Sequence, residues 1–314
     1  MASNDRHGWR IGRQRNTLVS SKAAQWEHEN DMAGSTGEEI GLVGIGRMGL
    51  AMSGHLIRRG YGVTACDIDP ARCAAARNAG VTVVPTPAAV GEAARFVIIA
   101  VGYDSEATAV MLGPNGLLET MGAGSVIAVS STCTPEHVRS LGRSAREKGV
   151  ELLDAPICRG QRAADDGTML SLLGGSTEVV ERARPIYRTF CADVAHLGEV
   201  GAGQFGKSMN NFLLWVNGVA LIEAGRLAEA NGMDLVKLRE ALLISSGASD
   251  ALKNWENVSF LWALKDMQIV AKMADKAGLS MPIAGAIKEL VKDGRRIKTT
   301  NPPDWTGHGG KPKH

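Results

Sequence analysis

The sequence predicts an α/β fold: a doubly wound, mostly parallel sheet followed by an all-α domain. Three observations predict it. Short apolar strand candidates alternate with helical stretches between residues 40 and 198, a glycine-rich turn joins the first strand to the first helix, and beyond residue 198 the pattern turns wholly helical. Such alternation stacks parallel strands between two helix layers. At roughly 150 residues per domain, a chain of 314 residues holds about two. The expected division is an extension over 1–38, a sheet domain over 39–198 and a helical domain over 199–314.

Residues 1–38 have no hydrophobic periodicity. Arg6, Arg10, Arg13 and Arg15 precede Glu27, Glu29 and Asp31, a composition that favours disorder, with Trp9 and Trp26 as isolated apolar points. There is no apolar stretch of the secretory kind. A cytoplasmic protein is the expectation, and a mitochondrial matrix location follows if the Arg-rich segment is a presequence.

Ile40-Gly41-Leu42-Val43 reads as a short buried strand, running directly into Gly44-Ile45-Gly46-Arg47-Met48-Gly49. Met48, Met52 and Leu56, four apart, mark the helix that follows. A strand at Val63–Cys66 leads to Asp67. Strand, glycine loop, helix, strand and acid together form a Rossmann-type dinucleotide fingerprint. Gly44 permits the tight turn, Gly46 lets the backbone approach a pyrophosphate, and Gly49 lets helix and strand pack closely. The helix N-terminus offers free N–H groups and partial positive charge to phosphates. Asp67, 23 residues after Gly44, suits hydrogen bonds from ribose hydroxyls and repels a 2′-phosphate, favouring NAD over NADP. Arg72 lies on the next helix, behind an Asp69 N-cap and Pro70.

Further strands are expected at Val81–Val84, Phe96–Val101, Val126–Ser130, Glu151–Asp154, Met169–Leu173 and Val194–Leu197, with a helix opening at Thr134-Pro135-Glu136 and stopping at Gly149. Gln204–Ala230 reads as one long interdomain helix, followed by helices at 234–245, 259–277 and 282–293 and an irregular tail from Asn301. Phe212, Leu213, Val216 and Leu221 spread over more than one side of the long helix, which predicts a homodimer or homotetramer through the helical domain.

The formal charge of +2 lacks the basic stripe of a nucleic-acid or membrane-surface protein. No apolar run reaches the ~18 residues of a membrane span. Five scattered cysteines without a CxxC pair suit reduced thiols, and no metal site is expected.

Three more patches carry candidate chemistry. Asp154-Ala155-Pro156-Ile157-Cys158-Arg159-Gly160 leaves a strand at the sheet's carboxyl edge, where open α/β sheets bind ligands, and its amides and Arg159 offer an anion cradle. In Gly201-Ala202-Gly203-Gln204-Phe205-Gly206-Lys207-Ser208-Met209-Asn210-Asn211, Lys207 and Asn211 share a helix face. Lys265-Asp266 opens another helix.

The glycine loop, Ser131-Thr132 with Pro135, the Asp-Ala-Pro loop, the Gly-x-Gly-x-x-x-Lys-x-x-x-Asn helix start and Lys265-Asp266, in this order, resemble the β-hydroxyacid dehydrogenase family over about residues 40–293. That family includes 3-hydroxyisobutyrate dehydrogenase and tartronate semialdehyde reductase. The resemblance implies hydride transfer between a nicotinamide and a small anionic 3-hydroxy acid or its aldehyde. It implies Lys207 as general acid/base, Asn211 and the 158–160 loop as substrate-binding, Thr132 near the nicotinamide, and Lys265 near both. The proton role asks for burial of Lys207 at a closed junction with a like charge nearby. Cys158 and Arg159 depart from the family's usual Ser-Gly, and Val129 from a common Asp. Arg159 is therefore expected to pair with a second anionic group on the substrate. Two alternatives share the architecture: an imine reductase-like enzyme, whose members usually place Asp or Tyr where this chain has Lys207, and a non-catalytic NAD-binding scaffold.

Overall fold

The computed structural model describes residues 37–308. Apart from residues 37 and 38, the extension, with Trp9 and Trp26, lies outside the described residues.

The sheet strands are β1 (Glu39–Val43), β2 (Gly62–Cys66), β3 (Thr82–Val83), β4 (Phe96–Ile99), β5 (Val126–Val129), β6 (Glu151–Asp154), β7 (Ile157–Cys158), β8 (Met169–Gly174) and β9 (Cys191–Gly198). Their order is β3-β2-β1-β4-β5-β6-β8-β7, with β9 beside β8. From β3 to β6 all pairings are parallel. β8 runs antiparallel to β6 and β7, and β9 parallel to β8. The strands leave β1 and β4 in opposite directions across the sheet, so their adjacent carboxyl ends form the switch-point crevice where such folds bind dinucleotides.

The central strands are apolar on both faces because both are covered. Ile40, Leu42, Phe96 and Ile98 pack into one core, and Val43, Val97, Ile99 and Ile127 into another. Helices α1 (Arg47–Arg58), α2 (Pro70–Asn78), α3 (Pro87–Ala93), α4 (Asp104–Leu112), α5 (Pro135–Glu147), α6 (Gly160–Asp165) and α7 (Thr177–Tyr187) connect the strands. Asp69 and Thr134 are the N-caps of α2 and α5, each with proline in the first turn.

The remainder is helical: α8 (Ala202–Ala230), α9 (Leu235–Leu243), α10 (Asp250–Lys253), α11 (Ala263–Ala277) and α12 (Pro282–Thr300). A third core gathers Trp215, Trp255, Phe260, Met267, Ile287 and Trp305.

Several elements differ from expectation. β7, too short to show alternation, is absent from the sequence reading. β9 begins three residues early, and β3, β4 and β5 are shorter than expected. The last helix runs through Gly294 to Thr300. The missing side chain there admits the Phe260 ring, whose Cδ1 lies 2.5 Å from where a Cβ would stand. Lys298, one turn on, is buried, donates to the Trp255 carbonyl at 2.5 Å and stands 3.7 Å over the Trp255 ring. Burial lowers its ammonium to about 8. The tail is irregular but packed: Trp305 is fully buried and donates to the Leu221 carbonyl at 3.1 Å. Leu221 is accordingly buried rather than on the outer surface, whereas Leu213 is exposed and Phe212 and Val216 pack partly against the core. Among the described residues no helix is long and apolar enough to cross a membrane.

Candidate active site

The glycine loop has the geometry of a phosphate cradle. Gly44 has φ +95, and a Cβ there would lie 2.6 Å from the Ala100 carbonyl oxygen. A Cβ on Gly49 would stand 2.1 Å from the Gly44 oxygen, so only glycine lets α1 press against the turn. Gly46 instead faces open space: the nearest atom to a built Cβ is Arg72 Nη1, at 3.9 Å. Gly46 is the N-cap of α1, with no side chain bonded to the helix end and no acid in its first turn. That opening and the helix's partial positive charge fit a dinucleotide pyrophosphate. Arg47 is exposed, while Met48 packs on the first core.

Ile45 serves differently. Its side chain is core, and its N–H donates to Asp67 Oδ2 at 2.7 Å. Asp69 N donates to Asp67 Oδ1 at 2.9 Å. Arg72 lies 3.6 Å from Asp67 and 3.3 Å from Asp69. The carboxylate at the end of β2 is thus fixed by the main chain and faced by a cation.

At the carboxyl ends of β4, β5 and β6 the sheet meets the helical domain. Asp154, fully buried, accepts from Gly201 N at 2.8 Å and Gln204 N at 2.7 Å, placing a carboxylate at the N-terminus of α8. Burial raises its carboxyl to about 6 against the pull of these bonds. Gln204, also fully buried, donates to the Ser131 carbonyl at 2.8 Å and accepts from Cys133 N at 3.0 Å. One side chain therefore straddles Thr132. Lys265 closes the junction from α11: its Nζ donates to the Thr132 carbonyl at 2.8 Å and to the Gly102 carbonyl. Lys276 and Glu136 form a second bridge between the same helical domain and α5.

Lys207 is half-buried and Asn211 buried, one turn apart on α8. Both act on Asp266. That buried carboxylate accepts from Trp215 Nε1 at 2.9 Å and from the Asn211 side chain, with Lys207 and Lys265 as its nearby cations. Burial pushes its carboxyl above the usual range; Lys207, the Trp215 bond, Lys265 and Asn211 pull it down, in that order. The structure thus brings Lys207, Asn211, Lys265 and Thr132 to one junction.

The 158–160 loop has other partners. Cys158 is buried in β7, opposite Leu170. Arg159 has φ +82, a conformation L residues rarely adopt, and it is held there by its own side chain. The guanidinium meets Asp193 at 2.6 Å and donates to the Thr168 carbonyl at 3.0 Å. A second anionic group on a substrate would have to compete with Asp193 for it. Gly160 has φ +72 and open space beside it.

Comparison with known proteins agrees with this geometry over nearly the whole described chain. A family model described as the NAD binding domain of 6-phosphogluconate dehydrogenase matches residues 39–213, and one described as NAD-binding of NADP-dependent 3-hydroxyisobutyrate dehydrogenase matches 201–302. The chain belongs to the β-hydroxyacid dehydrogenase family. Its relatives include the NAD-dependent L-serine dehydrogenase of Pseudomonas aeruginosa, 32% identical over 69% of this chain and 72% of that one. The 2-(hydroxymethyl)glutarate dehydrogenase of Eubacterium barkeri is 32% identical over 68% and 71%. In fold, the chain is similar to the structure of Mycobacterium tuberculosis 3-hydroxyisobutyrate dehydrogenase with L-serine (TM-score 0.75, 24% identity), covering 87% of this chain and 98% of that one.

As a β-hydroxyacid dehydrogenase, the chain is an NAD(P)-dependent oxidoreductase that transfers hydride to or from a small hydroxy or keto acid. Four residues that build its junction carry no role in the sequence reading: Asp154, Gln204, Trp215 and Asp266. A signal for them exists. Gln204, Ser208, Asn211 and Trp215 recur at spacings of four, three and four and are all buried, a polar stripe on one face of α8. A polar stripe buried at helical spacing implies partners from elsewhere in the chain.

Proposed function

We propose that the protein oxidises a small 3-hydroxy acid to its aldehyde or keto acid, reversibly, with Lys207 as general acid/base and NAD preferred over NADP. The observation that carries this reading is the convergence of Lys207, Asn211 and Lys265 on Asp266, at the crevice beyond β4 and β5. When bound, the nicotinamide supplies the hydride acceptor. Everything else falls to the chain. Lys207 Nζ takes the hydroxyl proton as the carbinol carbon is oxidised, and returns it in reverse. Asn211 orients the hydroxyl, itself held by Asp266. Lys265 spends two of its three N–H donors on carbonyls, leaving the third for the acid's carboxylate. The fixed carboxylate of Asp67 supports the NAD preference, since a 2′-phosphate would meet its charge. The presence of Lys207 favours this reading over the imine reductase and scaffold alternatives. Exposed Leu213, Leu227 and Ile283 support pairing of copies through the helical domain.

The test is Lys207→Ala. It should lower kcat by about 10²–10⁴-fold, the usual worth of general acid–base catalysis, while NAD affinity measured by calorimetry stays unchanged. Retention of more than about a tenth of turnover removes the proton role from Lys207.

A further inference from the structure

An aromatic pair stands across the mouth of the crevice. Tyr103 precedes α4 on the sheet domain, and Trp262 precedes α11 on the helical domain. Their ring centroids are 6.0 Å apart, with the planes at 69° in an edge-to-face arrangement. Each residue is about half exposed, at 50% and 46%. Both surround the junction cation: Lys265 Nζ lies 5.2 Å from the Tyr103 centroid and 5.7 Å from that of Trp262.

We propose that Tyr103 and Trp262 form a substrate subsite that packs against an apolar, preferably planar, substituent and so selects substituted hydroxy acids over the smallest ones. The proposal rests on the hydroxy-acid reading and adds the class of side group. A carboxylate accepting the free N–H of Lys265 sits within hydrogen-bond reach of Nζ, so the next carbons of the substrate come within contact of both rings.

The platform is rigid before any ligand arrives. Glu106 accepts from Gly102 N at 2.7 Å and Tyr103 N at 3.2 Å, and Ser131 Oγ accepts from Val101 N at 2.8 Å. On the other side, Phe260 has φ +56 and its buried ring packs 5.3 Å from that of Trp215, anchoring the segment that carries Trp262. Aromatic surface held in place in advance binds at low entropic cost. The other candidate for recognising a side group, Arg159, is held by Asp193 and Thr168. The crevice wall beside Lys265 is thus aromatic.

The experiment compares 3-hydroxypropionate with 3-hydroxy-2-phenylpropionate in kcat/KM, for the native protein and for Trp262→Ala, Tyr103→Ala and Trp262→Phe. The native protein should favour the phenyl acid about tenfold or more, Trp262→Ala and Tyr103→Ala should each erase most of that through KM, and Trp262→Phe should keep most of it. An equal loss on both substrates, or a native preference for the unsubstituted acid, overturns the subsite. In parallel, calorimetry on the protein–NAD complex compares 2-phenylpropionate with propionate, which needs no turnover. The phenyl acid should bind about tenfold tighter to the native protein and no tighter to Trp262→Ala. Parity in the native protein overturns the subsite, whereas the expected binding without turnover of either hydroxy acid overturns only the hydroxy-acid reading.

Discussion

The glycine-loop cradle and the interdomain junction share one sheet edge but are built differently. The cradle is mostly main chain: a turn of glycines, the end of α1, and a carboxylate held by amides no more than 22 residues away. The junction is mostly side chain, and its bonds are long in sequence. Asp154 reaches Gln204 over 50 residues, Gln204 reaches Ser131 over 73, and Lys265 reaches Gly102 over 163. A main-chain site needs only the right local turn. A side-chain site needs the whole fold to deliver its parts. The first can therefore be identified from a short motif, and the second cannot be separated from the stability of the domain contact.

Three measurements sharpen or break this contrast. Asp67→Asn removes the charge on which the cradle's Ile45 and Asp69 amides converge. Losing charge-assisted bonds of this kind should lower kcat/KM for NAD by about 10–100-fold and narrow the gap to NADP, with thermal stability little changed. A large drop in melting temperature would make Asp67 as much a part of the fold as any junction residue.

Asp154 tests the other side. Its carboxyl is raised from an ordinary 3.8 to about 6 by burial. A group whose folded value is raised binds its proton more tightly in the folded state. The stability it contributes is full below pH 3.8 and is lost as pH rises through about 6. Native protein should therefore gain on Asp154→Asn by roughly 1–3 kcal/mol as pH falls across that window, read from urea midpoints. A difference independent of pH would mean that the carboxylate is not desolvated at the start of α8.

The smallest effect is expected at Arg159. Its pair with Asp193 is substantially exposed, at 42% and 59%, and such pairs are worth about 0–1 kcal/mol. Arg159→Gly should change stability within that range and shift kcat/KM less than about threefold for monoacids and diacids alike. A KM rise confined to diacids would bring Arg159 back to the substrate.

How much was legible follows the same division. Gly44 and Gly49 could be read with their conformational roles, and Gly46 and Asp67 with their places, because each position is fixed within a strand–turn–helix unit. The mostly parallel sheet follows from alternation and two-faced burial, whereas the strand order is a property of the folded chain. Lys207, Asn211 and Lys265 could be named only through their resemblance to a family, since a lysine on a helix has many uses. Asp154, Gln204 and Asp266 were visible as residues but not as roles: an acid ending a strand says nothing about which helix it will cap. Arg159 looked available for a substrate because Asp193, its partner, lies 34 residues on. The tail read as irregular, yet Trp305 proved to be core.

By itself the sequence determined what depends on neighbours along the chain: the strands and helices, the turn that only glycine permits, the caps at Asp69 and Thr134, and the division into a sheet domain and a helical one. The tertiary structure alone decided which polar groups face each other when water is expelled from the domain contact. It put the Asp154 carboxylate on α8, spread Gln204 across two loops, set Asp266 among two lysines and brought Tyr103 to Trp262. The physical reason is that a buried donor or acceptor must find a partner, and which partner lies within three ångströms is a property of the folded chain as a whole.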